Sequence, residues 1–84
     1  MLEAREDYIN GATIITMDQA CWMLMPACNH YRSRVTEQLE AWQREWNDED
    51  ILEAIKWTWL KGSPMMRGVP AFLEHNCRRK NADQ

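Results

Sequence analysis

The chain has 84 residues and a formal net charge of −3, with 10 Lys and Arg against 13 Asp and Glu. That length holds one domain, and the acidic balance argues against a surface built throughout to grip nucleic acid. The large side chains are skewed towards five Trp and six Met, with one Phe and two Tyr, and Trp and Met are types enriched where proteins meet.

Residues 1–15 read as a hairpin or an arm. MLEAREDY is charged and carries no apolar signal region. Asn10-Gly11 is a type I′ turn signal, because both residues tolerate positive φ. Tyr8-Ile9 and Ala12 to Ile15 would then pair as a very short β-hairpin.

Thr16-Met17-Asp18-Gln19 fits a capping box, so a helix should begin at Met17, with Asp18 suiting the positive end of its dipole. Met17, Cys21, Leu24, Cys28, Tyr31, Val35, Leu39, Trp42 and Trp46 then recur by threes and fours, one apolar stripe from 17 to 46. Pro26 interrupts it. Either a single helix of roughly 45 Å kinks there, or one helix ends and a second starts, since proline suits a first helical position. The unbroken phase slightly favours the kink.

Asn47 or Asp48 caps a helix over 48–61, with Glu49 and Asp50 in its first turn and Lys61-Gly62 closing it. Ser63-Pro64 restarts the chain in a short turn or helix, and Val69, which precedes Pro70, is expected to be extended. Pro70 opens a basic C-terminal helix over 70–80. The fold class expected is mostly α: one small bundle of three to four helices, with the short N-terminal β-hairpin at Asn10-Gly11 as an option.

Charge is uneven along this framework. Residues 37–56 hold seven acids against Arg44 and Lys56, and residues 61–84 hold five bases against Glu74 and Asp83. In helix 48–61, a wheel places Ile51, Leu52, Ile55 and Trp59 together, while Trp57 falls opposite them beside Glu53, with Leu60 nearby. Either another element covers Trp57 and the helix is central, or Trp57 belongs to an exposed patch. Trp22 and Met25 likewise lie to the side of the first stripe.

Catalytic and metal chemistry finds little support. Cys28-x-His30 and His75-x-Cys77 mirror each other, but side chains two apart on a helix diverge, and zinc sites favour wider spacings. No Gly-rich phosphate loop, GxSxG turn or HExxH occurs. No catalytic residue, metal or cofactor is therefore expected. Three cysteines, an odd number with two in apolar helical pattern, argue for reduced thiols and a soluble, cytoplasmic protein. The longest nearly apolar run, ACWMLMPAC, is too short to span a bilayer.

The first functional expectation is a non-enzymatic protein-binding regulator or inhibitor that occupies a surface of a partner. Trp57, Leu60, Met65 and Met66 are its apolar anchors, and Glu49, Asp50 and Glu53 its charged rim. In size and composition, though not in motif, the chain resembles the compact inhibitors and regulators that phages and mobile elements encode. A first alternative is a small DNA-binding regulator using Arg67, Arg78, Arg79 and Lys80. A second is a homodimer whose interface absorbs the surplus tryptophans.

Overall fold

The computed structural model describes residues 15–80. Among them are four α-helices and no strand: α1 (Met17–Leu24), α2 (Arg32–Glu45), α3 (Asp48–Lys61) and α4 (Met65–Asn76), with a 3-10 turn at Pro26–Cys28 between α1 and α2. A small helical bundle is the architecture. The hairpin expected at Asn10-Gly11 lies outside the described residues.

The capping box forms at Thr16. Gln19 N donates to Thr16 Oγ1 at 3.2 Å, and Thr16 N donates to Gln19 Oε1 at 2.6 Å. Two N–H groups that the helix cannot use are thereby satisfied. At Pro26 the chain takes the split and not the kink. Asn29 (φ 56) and His30 (φ 63) are both left-handed, a conformation no right-handed helix can pass through. Their backbone is still paired, with His30 N donating to Met25 O at 2.8 Å and Tyr31 N to Cys28 O at 3.0 Å. The stripe keeps phase because Cys28 and Val35 both reach the core, but Tyr31 leaves it and is 58% exposed.

Val35, Leu39 and Trp42 bury one face of α2, and Trp46 follows just past its end. They pack towards α3, the central helix, which contacts α1, α2 and, most extensively, α4. Ile51, Ala54 and Ile55 are fully buried, with Leu52, Trp59 and Leu60 half-buried around them. α3 ends at Gly62, whose left-handed φ of 74° places its N–H on the carbonyls of Thr58 and Trp59.

The last helix differs from the one expected over 70–80. It starts at Met65, contains Pro70 and ends at Asn76. The Pro64 carbonyl accepts Arg67 N at 3.2 Å and Gly68 N at 2.7 Å, so the first turn closes before Pro70 is reached. Val69 is helical, not extended, and it is buried with Met65 and Leu73. Burying three such side chains is worth about 1.5–3 kcal/mol each, against roughly 3 kcal/mol for an internal proline. Packing wins over local preference. Pro70 still withholds the N–H that Met66 O would accept. Pro70→Ala is therefore expected to raise stability by about 1–3 kcal/mol, read as a higher urea midpoint at unchanged slope. An equal or lower midpoint would mean that the proline fits α4 without strain.

Beyond Asn76 the chain leaves the helix and turns back. Lys80 N donates to Glu45 O at 2.6 Å, and Lys80 Nζ to Gln43 O at 2.9 Å. The Arg79 guanidinium lies 4.7 Å from the Trp46 ring centroid and pairs with Glu45 and Glu74. These cations close on the C-terminal end of α2, where unpaired carbonyls make the negative pole of the helix.

Candidate functional site

Trp57 lies on α3 away from the Ile51–Ile55 face and is 43% exposed. Its ring is nevertheless fixed. The indole Nε1 donates to Glu53 Oε2 at 2.6 Å, one helical turn back. The Lys56 ammonium sits 5.0 Å from the ring centroid and 3.0 Å from Glu53 Oε1. A cation on the ring and an acid on its N–H hold an exposed aromatic in one orientation.

Beside Trp57 runs a groove of about 480 Å³ between α3 and α4, within the range of ligand clefts. Two rows of side chains form its walls. Trp57 and Lys61 are four apart on α3, and Arg67, Ala71 and His75 are four apart on α4, so each row shares one helical face. Phe72 adds apolar surface, and among the described residues no acidic side chain lines the groove. The helices approach closely at Gly68, where an added Cβ would overlap the Thr58 Cγ2 methyl.

The structure separates the residues singled out from the sequence as one patch. Leu60 is half-buried against the core and Met65 is buried. Met66 is 39% exposed, but it lines a different hollow with Met23, Pro26, Ala27 and Trp59. Of the acidic rim, Glu53 touches Trp57. Glu49 and Asp50 sit at the start of α3, roughly 10 Å away along the axis. Asp50 instead faces Cys77, whose thiol pKa is raised by burial first and then by the Asp50 and Glu53 carboxylates.

The basic residues are separated too. Arg67 stands in the first turn of α4, in the groove, while Arg78, Arg79 and Lys80 lie beyond the last residue of that helix. Arg79 and Lys80 are engaged by α2 and Glu74. The Cys-His pairs diverge: Cys28 is buried and His30 exposed, while His75 lines the groove and Cys77 faces Asp50. Among the described residues, no three His, Cys, Asp or Glu side chains gather as a metal site, and no helix is long and apolar enough to cross a membrane.

Several exposed or groove-lining residues were not among the sequence candidates. Trp22, 71% exposed, borders a small hollow with Met25, Arg32 and Val35; its place off the stripe was the signal. Lys61, Ala71, Phe72 and His75 line the groove, and the Arg67-Ala71-His75 spacing was legible once α4 began at Met65. Comparison with protein families, curated proteins and solved structures gives no match to this chain.

Proposed function

We propose that the chain is a non-enzymatic, cytoplasmic protein-binding module, a regulator or inhibitor that occupies a surface of a partner protein through the face around Trp57. The observation that carries this reading is the fixed, 43% exposed Trp57 ring at the edge of a groove. A rigid aromatic beside a concave, partly apolar surface has the anatomy of a binding hot spot, because little side-chain entropy remains to be lost on docking. Cys21, Cys28 and Cys77 form no disulfide with one another, an arrangement that suits the cytoplasm.

The test compares immobilised wild type with Trp57→Glu, after far-UV spectra establish equal helicity. The expected result is one stoichiometric protein retained by wild type and lost by the variant. Equal retention by both would remove Trp57 from the interface, and collapse of the variant's helicity would make Trp57 part of the core. Solution mass by light scattering separates self-association: a wild-type dimer that Trp57→Glu converts to a folded monomer assigns the face to a second copy.

A further inference from the structure

We infer that the α3–α4 groove recognises an acidic peptide segment of the partner, with carboxylates meeting Lys61, Arg67 and His75 and an apolar side chain lying over Ala71 and Phe72. This rests on the reading of Trp57 as a protein-docking residue and adds the chemistry of what docks. Charge complementarity carries it. The chain as a whole is acidic at −3, yet among the described residues the groove is lined by Lys61, Arg67 and His75 and by no acid; the nearby Glu53 carboxylate, at the Trp57 edge, is already engaged by Lys56 and the Trp57 indole. Such a patch attracts carboxylates and repels a basic segment. Cations stand on both walls, Lys61 on α3 and Arg67 on α4, with the His75 ring as a further polar group on α4, so a segment lying along the groove would be held from two sides. Arginine adds a planar fork that matches a carboxylate with two hydrogen bonds. The apolar surface between the walls excludes water from those contacts, which strengthens them.

A polyanion fits less well. Affinity for DNA comes largely from neutralising several phosphates at once, and this groove offers two fixed cations, Lys61 and Arg67. The acidic first turn of the same helix, Asp48 to Asp50, would oppose a long phosphate backbone, whereas a short peptide need not reach it.

The experiment is a fluorescence-polarisation titration of the full chain with a fluorescein-labelled peptide alternating Glu with Leu and Phe. The same peptide with Lys for Glu and a labelled oligothymidine serve as comparisons. The expected result is saturable binding of the Glu peptide, none of the Lys peptide, and at least a roughly tenfold weaker Kd for Lys61→Glu/Arg67→Glu. Lys61→Gln/Arg67→Gln repeats the arm with milder changes should the reversal variant lose helicity, and an intermediate loss is expected there. Absence of Glu-peptide binding, or binding that neither variant weakens, overturns the inference. Tighter binding of the oligothymidine with the same dependence on Lys61 and Arg67 overturns it in favour of nucleic acid. A wild-type dimer dissociated by the reversal overturns it in favour of a second copy. If the Glu peptide fails while Trp57→Glu still abolishes partner capture, the acidic chemistry falls and the docking role of Trp57 stands.

Discussion

Gly68→Ala is expected to destabilise the chain, against the ordinary trend for a helix. Replacing glycine by alanine inside a helix normally stabilises it by about 1 kcal/mol, because the backbone loses less freedom on folding. Here the new Cβ would overlap the Thr58 Cγ2 methyl, with Thr58 Oγ1 at 3.1 Å and Cβ at 3.3 Å. Thr58 is buried on α3, and a β-branched side chain has few rotamers in a helix. The helices must separate or Thr58 must strain, at a cost of about 1–3 kcal/mol. Gly68→Val should lose more. Removing the obstacle gives the decisive comparison. In Thr58→Ala the overlapping methyl is gone, so Gly68→Ala should be tolerated better in that background than in wild type. A double-mutant cycle in urea reads this coupling. If Gly68→Ala raises the midpoint in wild type, the close crossing of α3 and α4 is wrong.

Trp46→Ala is the second large effect, with an expected loss of about 3–5 kcal/mol. Trp46 is buried at the α2–α3 junction and also supports the Arg79 guanidinium. The total stability of a chain this size is roughly 4–13 kcal/mol, so the variant should be unfolded or close to it at ambient temperature. Trp46→Leu restores apolar bulk without the ring and should recover part of the loss. Arg79→Ala should cost far less, because exposed ion pairs contribute about 0–1 kcal/mol each. Calorimetry on the three variants ranks them. A Trp46→Ala melt within a few degrees of wild type would contradict the packing described for this junction.

These sites also show what the sequence made legible. The Thr16-Gln19 capping box and the end of α3 at Gly62 rest on local chemistry that the structure contains; α3 also starts at Asp48 as expected, although the Asn47 side chain makes no capping hydrogen bond there. The stripe Val35-Leu39-Trp42-Trp46 is buried as its spacing implies. Two features depended on distant contacts. The restart at Ser63-Pro64 was legible as a short turn or helix, but its continuation through Pro70 as one helix was hidden, because the burial that offsets the proline comes from α3. The role of Gly68 was invisible without knowing that Thr58 lies opposite. The split at Pro26 fell between these cases: Asn29 tolerates a left-handed backbone, but an apolar stripe in phase across the turn looks the same for one helix as for two.

The candidate site was legible only in part. Trp57 stood out because its neighbours two residues away belong to the core face, and Glu53 beside it was visible as an i, i+4 partner. Met65 and Met66 looked like companions of Trp57 because they are near in sequence. The Gly62–Pro64 turn instead carries Met66 to the hollow shared with Trp59. The groove itself required the correct boundary of α4 before Arg67, Ala71 and His75 could share a face.

The central claim is that the Trp57 face and the adjoining groove form the docking surface. The most direct test is a ¹H–¹⁵N spectrum of the indole region of the full chain during titration with the Glu peptide, the Trp57 signal being identified from its absence in Trp57→Phe. The account predicts that the Trp57 indole resonance shifts progressively while those of buried Trp42 and Trp46 stay in place. Movement of the Trp22 resonance with Trp57 unmoved would contradict it and transfer the docking surface to the hollow beside Trp22.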